Sequence, residues 1–184
     1  DMLRLAGIDQ RIQVVPMDGF HLDNTVLSDR GMSDRKGAPE TFDVVGFLRL
    51  VERLSTEDDI IFPRFDRSRD LSVAGAGAIR PSTETVIVEG NYLMLDQPHW
   101  RDLARLWDLS VSIDVPLQVL RQRLLQRWLD HGYSQAEAAE KAGNNDLPNA
   151  TQVMENSLQC DVVIAGDEIT VASRSVAAGT GSSE

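Results

Sequence analysis

The stretch Thr85–Glu89, T-V-I-V-E, followed by Gly90-Asn91, restricts the fold of this chain more than any other segment. Its β-branched apolar residues suit a strand. A run of them without polar alternation is the pattern of a strand covered on both faces, hence of a parallel sheet. Glu89 then stands as a carboxylate at the carboxyl end of a central strand, where a metal, a cation or water is expected beside it, because an unpartnered buried charge is costly. A second strand is expected at about Gln13 to Met17, with Ile12, Val14 and Val15 as its apolar run and Pro16 ending or bulging it. Asp18, Gly19, His21 and Asp23 follow at once. In open α/β sheets ligands sit at the carboxyl ends of the strands, so Asp18 and Glu89 are expected at one edge of the sheet, facing one cleft. The competing reading of Asp18 and Asp23 is that they only cap the next segment.

Helical and strand patterns alternate through the remainder, which predicts an α/β fold with a parallel sheet flanked by helices. His21 to Thr41 reads as a long polar loop carrying Arg30, Arg35 and Lys36, either a solvated basic loop or a substrate lid. From Asp43, a candidate N-cap, the apolar positions 44, 47, 48, 51 and 54 follow helical spacing. Ile60 to Phe62 predicts a short strand running into R-F-D-R-S-R-D, and Leu71 to Arg80 a hairpin or flexible loop. Trp100 to Trp107 predicts a short helix and Leu109 to Val115 a strand. A helix opened by Pro116 follows to about His131, with Val119, Leu120, Leu124 and Leu125 inward. Ser134 and Glu137 have capping-box spacing for an alanine-rich helix ending at Gly143. A last helix is expected at Pro148 to Leu158 and a last strand at Asp161 to Ala165. Carboxylates at two strand ends and Arg121, Arg123 and Arg127 on a later helix suit magnesium-assisted phosphoryl transfer: acids hold the metal and take a hydroxyl proton, arginines neutralise the phosphoryl group. A solvated arginine face is the alternative.

Composition excludes other classes. Hydrophobic residues make 42% and charged residues 26%, ordinary for a globular domain. A net charge of -11 argues against a nucleic-acid or acidic-membrane surface. Cys160 is the one cysteine, which rules out an internal disulfide and a cysteine-rich zinc site. No run has the length of a membrane span and no signal peptide opens the sequence, so the cytoplasm is the expected compartment. Met2, Leu3, Leu5 and Gly7 read as the last turn of a helix with its glycine stop, and the chain is expected to be a truncated domain over 1–170 with a disordered tail over 171–184.

The segments V-P-M-D-G-F-H-L-D-N, R-K-G-A-P-E-T-F-D, F-P-R-F-D-R-S-R-D, V-I-V-E-G-N-Y-L, L-L-Q-R-W-L-D-H-G and N-D-L-P-N-A, in this order, resemble the phosphoribulokinase/uridine kinase family of P-loop kinases. The likeness runs from about Gln13 to Ala165 and is nearest to the branch of nucleoside-kinase-like and fructose-transport-system kinases, with pantothenate kinase more distant. It implies ATP and Mg2+ as cofactors and a small-molecule substrate whose hydroxyl is phosphorylated, with a homodimer as one assembly. Asp18 matches the acid that approaches the substrate hydroxyl and the magnesium, and Glu89 the acid beside the phosphate loop. Asp66 and Arg67 match the substrate-binding hairpin segment, with His21, Lys36 and Asn91 completing the substrate set. Arg123 and Arg127 match the lid helix, and Asn149 the segment that reaches toward adenine.

The family's G-x-x-x-x-G-K-[ST] phosphate loop does not occur in these 184 residues. Gly75-Ala76-Gly77 lacks the lysine. The expectation is that the loop lies upstream of Asp1, and that the sheet lacks the strand between those at Thr85–Glu89 and Leu109–Val115. The alternatives are a non-catalytic relative that binds a metabolite or partner, and a haloacid-type phosphatase. The latter is disfavoured because Phe20 stands where its second aspartate is required.

Overall fold

A computed structural model describes residues 11–172; the expected helix end at Met2–Gly7 and the tail from residue 173 lie outside the described residues. Strand β1 (Ile12–Pro16) pairs in parallel with β4 (Thr85–Glu89), Ile12 opposite Thr85 and Pro16 opposite Glu89. Two more strands, β2 (Ile60–Asp66) and β3 (Leu71–Ile79), form an antiparallel ribbon with a register shift between Phe62 and Arg64. Parallel pairing recurs between β5 (Val111–Asp114) and β6 (Val162–Ala165), and β7 (Glu168–Val171) adds antiparallel to β6. Among the described residues β4 pairs with β1 and β5 with β6, and β4 and β5 do not pair with each other.

The helices are α1 (Asn24–Asp29), α2 (Val44–Leu54), α3 (Leu117–Asp130), α4 (Gln135–Lys141) and α5 (Leu147–Asn156). Asp43 caps α2 by accepting from the Gly46 amide at 2.9 Å. That helix lays Phe47, Leu48 and Val51 against Met17, Tyr92, Trp100 and Leu103. A second cluster, Val15, Leu50, Ile60, Phe62 and Ile79, sits between β1 and the ribbon. Burial of large apolar side chains is the dominant favourable term here, and both clusters lie under the carboxyl ends of β1 and β4.

Several sequence expectations change. The segment 21–41 is not structureless: Asp23 caps α1 through the Thr25 amide at 2.8 Å, and 3-10 turns occur at Ser33–Arg35 and Pro39–Thr41. Gly143 does not stop a helix, because a π turn, Ala142–Asp146, carries α4 into α5. The four apolar residues expected inward on α3 are only half-buried. β4 is not covered on both faces, since Ile87 is 42% exposed. β7 was not expected, and Val171, placed by the sequence at the start of a tail, ends it.

Candidate active site

Asp18 and Glu89 come to one place because β1 and β4 run parallel and in register to their carboxyl ends. After Pro16 the chain tightens into a 3-10 turn, Met17–Phe20, which lifts Asp18 above the strand end. Two glycines permit the close packing. A Cβ at Gly19 would collide with the Pro63 carbonyl of β2, and one at Gly90 would collide with the Met17 side chain. The Glu89 carboxyl is held above the usual glutamate range, first by burial and then by the Asp18 charge, with Arg67 working in the opposite direction. Two carboxylates are thus close enough to repel, the situation a cation relieves.

Arg67, in the turn joining β2 to β3, donates from Nη2 to Asp18 Oδ2 at 3.0 Å. Its side chain is 80% exposed, against 31% for Asp18, so the pair is a surface contact open to exchange. Asp66 is occupied otherwise. Its Oδ1 accepts from the Ser68 hydroxyl at 2.6 Å and from the Ser68 and Arg69 amides, which fixes the turn and lowers its pKa, the Ser68 bond contributing most. In this structure Asp66 shapes the turn that presents Arg67.

His21 forms the floor. Its ring lies between Phe42 and Phe65, with centroids at 4.1 and 4.6 Å. Nδ1 is 2.8 Å from the Asp18 carbonyl oxygen; a carbonyl only accepts, so Nδ1 carries the hydrogen. Burial lowers the pKa of the ring against the raising effect of that bond, favouring the neutral form.

Lys36 reaches the same wall but is fully engaged. Nζ donates to Asn24 Oδ1 at 2.7 Å and to the Asp70 carbonyl at 2.9 Å, and it lies 2.8 Å from Asp70 Oδ2. It also sits 5.3 Å from the Phe65 ring centre. As placed it is a clasp between the 21–41 segment and the ribbon. Asn91 is exposed just past the end of β4.

The arginines of α3 separate. Arg127 donates to Asp146 Oδ2 at 2.8 Å and lies over the Trp128 ring, and Trp128 Nε1 donates to the same oxygen at 2.6 Å. Arg123 is exposed, and among the described residues it has no ion pair. Asn149 is 8% exposed; its Nδ2 donates to Asn145 Oδ1 at 3.2 Å, and its own Oδ1 has no partner among the described residues.

Sequence reasoning missed Tyr92, whose hydroxyl donates to the Gly37 carbonyl at 2.6 Å and whose pKa is pushed up by burial. It also missed Phe65, Asp70, Asn145 and Asp146. All five lie within segments that carry the family resemblance, and Asp70 has a local signal besides, as a turn aspartate, here with φ at 54°. Among the described residues no group of three or more metal-ligating side chains converges. Asp18 and Glu89 nonetheless fit Mg2+, which commonly takes one or two carboxylates and completes its shell with phosphate and water oxygens.

No family model matches the sequence. The Escherichia coli (strain K12) protein YggC is 39% identical over 155 residues, covering 83% of this chain and 63% of its own length. A Schizosaccharomyces pombe (strain 972) protein named as a candidate uridine kinase is 33% identical, covering 83% of this chain and 68% of its own. The chain thus spans about two thirds of these relatives. A crystal structure from Silicibacter sp. TM1040, described as a candidate fructose transport system kinase, shares 47% identity and superposes with a TM-score of 0.82 over 86% of this chain and 78% of that one. Phosphoribulokinase from Rhodobacter sphaeroides, at 12% identity, shares the fold with a TM-score of 0.62 over 89% of this chain and 62% of that one. Among the described residues no helix is long and apolar enough to cross a membrane.

Proposed function

The chain belongs to the phosphoribulokinase/uridine kinase-like P-loop kinases, and on that premise we propose that it serves ATP-dependent transfer of a phosphoryl group to a hydroxyl of a sugar, nucleoside or pantothenate-like metabolite in the cytoplasm. The observation that supports this most is the convergence of Asp18, Glu89 and Arg67 at the carboxyl ends of β1 and β4.

Asp18 takes the proton of the acceptor hydroxyl. Before that it must part from Arg67, and an exposed ion pair of this kind is worth no more than about 1 kcal/mol, so an arriving substrate can displace it. The guanidinium then remains beside the acceptor as a donor. His21 and the phenylalanines against it orient the acceptor, with Asn91 at the rim. Asp18 and Glu89 would hold Mg2+, which supplies charge neutralisation and orientation of the phosphates. Arg123, exposed on α3, neutralises charge on the transferred group, and Arg127 joins it if it leaves Asp146. The Asn149 Oδ1 is the one group by which that side chain could read an adenine amine.

The test uses the protein as encoded in its genome, assayed for ADP release with ATP, Mg2+ and a panel of such acceptors. For whichever acceptor turns over, Asp18→Asn is expected to lower turnover by about two to four orders of magnitude at an unchanged melting temperature. Asp23→Asn, whose amide oxygen still accepts from the Thr25 amide and keeps the α1 cap while removing the charge, serves as control. Near-normal turnover in Asp18→Asn removes the assignment of the base, and binding without turnover across the panel favours a non-catalytic relative.

A further inference from the structure

The π turn Ala142–Asp146 sends adjacent side chains to two different parts of the molecule. Asp146 holds α3 through Arg127 and Trp128. Asn145 holds residues 33–42 (the acceptor segment), its Nδ2 donating to the Lys36 carbonyl at 2.8 Å. Contacts continue from Lys36 to Asn24, to Asp70 on the ribbon turn, and to the Phe65 ring that lies against His21. An unbroken series of contacts therefore joins the arginine-bearing helix to the His21 ring below Asp18, and it passes through the π turn. We propose that Asn145 is a positioning residue that couples the movement of α3 to the acceptor segment, holding the segment while the turn is π-wound and releasing it when α3 draws Asp146 away.

Two features of the turn support a releasable contact. A π turn carries one residue more than an α-helix would, and such turns recur at functional sites. Relaxation to α winding rotates the side chains on one side of it by roughly 100° relative to the other, enough to take Asn145 off the Lys36 carbonyl. The second feature is Asn149. Its Nδ2 fixes the Asn145 amide so that nitrogen faces Lys36, yet its own buried Oδ1 is left without a partner among the described residues. A buried acceptor without a donor is a cost that a relaxed winding can remove. The Gly37 carbonyl, by contrast, is held by Tyr92 from within the core. Beside the Lys36 side-chain clasp, the backbone carbonyls of Lys36 and Gly37 are thus held one by the π turn and one by the core.

The proposal rests on reading the Asp18 cleft as the acceptor site, but its test needs no substrate and can fail separately. The chain itself is followed by amide hydrogen exchange over residues 33–42 and by trypsin cleavage after Arg35 and Lys36. Asn145→Asp keeps the size of the side chain and removes its donor. It is expected to speed exchange at Ala38 and Thr41, whose amides bond within the segment, by about tenfold, the scale of one lost hydrogen bond. The pair R127M/W128F removes both donors to Asp146 from α3, and among the described residues neither Arg127 nor Trp128 bonds to the segment. Coupling predicts that this pair also speeds exchange at Ala38 and Thr41, and that adding N145D to it gives no further increase over N145D alone. Wild-type exchange in R127M/W128F overturns the proposal. So do effects that multiply, or an equal rise at the amides of β1 and β4, which would mark global opening.

Discussion

Tyr92→Phe isolates one hydroxyl in an otherwise unchanged core. The residue is 1% exposed, and its ring packs edge-on to Phe42 at 5.7 Å and against Trp100 at 5.5 Å, contacts that phenylalanine keeps. What is lost is the 2.6 Å bond to the Gly37 carbonyl. A hydrogen bond of this type contributes about 0.5–1.5 kcal/mol net, rising toward about 3 kcal/mol if the carbonyl is left dry. Gly37 is half-buried, so water can replace the lost partner only in part. The expected loss is about 1–2 kcal/mol, which for a chain of 184 residues lowers Tm by about 2–4 °C per kcal/mol. Calorimetry measures this, and amide exchange over residues 36–41 locates it. A fall in Tm with unchanged exchange in that segment would show that the hydroxyl stabilises something other than residues 36–41. A fall above about 10 °C would exceed what one hydrogen bond explains and would place the effect in ring packing.

Glu89→Gln tests the carboxylate pair through pH. The folded-state pKa of Glu89 is raised above its unfolded value by burial and by Asp18. Its native environment therefore costs nothing while the carboxyl is protonated, and stability is lost as pH rises from the ordinary glutamate range through the raised folded value. Glutamine removes that loss, so the variant should match wild type in acid and melt higher at neutral pH. The gain should stay under about 1 kcal/mol because the group is largely solvent-screened, and Mg2+ should narrow it by stabilising only the carboxylate form. A lower neutral-pH Tm in the variant would mean that the Glu89 charge is favourably paired. Ser134→Ala removes the capping box in which Ser134 and Glu137 exchange hydrogen bonds, and should cost about 1 kcal/mol, visible as faster exchange in α4 with β1 unchanged. Uniform exchange throughout would contradict a local cap.

Local chemistry accounts for what the sequence disclosed. β4 occupies the residues its β-branched run predicted, Asp43 caps α2, and the Ser134–Glu137 box forms. Asp18 and Glu89 could be placed together because parallel strands bring their carboxyl ends to one edge. Long-range contacts account for most of what was missed. Gly143 looked like a helix stop, but the winding there involves Asn145, which is tied to Lys36 109 residues away. Tyr92 gains its role from Gly37, 55 residues distant. β4 read as covered on both faces because its composition says nothing of which neighbours are present. β7 is a different kind of miss. Gly166-Asp167, with Gly166 at φ of 60°, is a two-residue hairpin turn between apolar runs, and the signal was in plain view.

The bond between His21 and the Asp18 backbone has a consequence for ligand chemistry. With the hydrogen committed on Nδ1 to a carbonyl, and burial favouring the uncharged ring, the Nε2 lone pair is an obligate acceptor. Any atom that meets it has to bring a hydrogen. An alcohol or amine satisfies that demand, whereas the corresponding methyl ether presents oxygen to nitrogen with nothing between them and leaves both lone pairs facing. Discrimination of this kind is built into backbone geometry, so it persists when the aromatic rings on either side of His21 are exchanged for other apolar groups. Altering it requires moving the turn that carries Asp18.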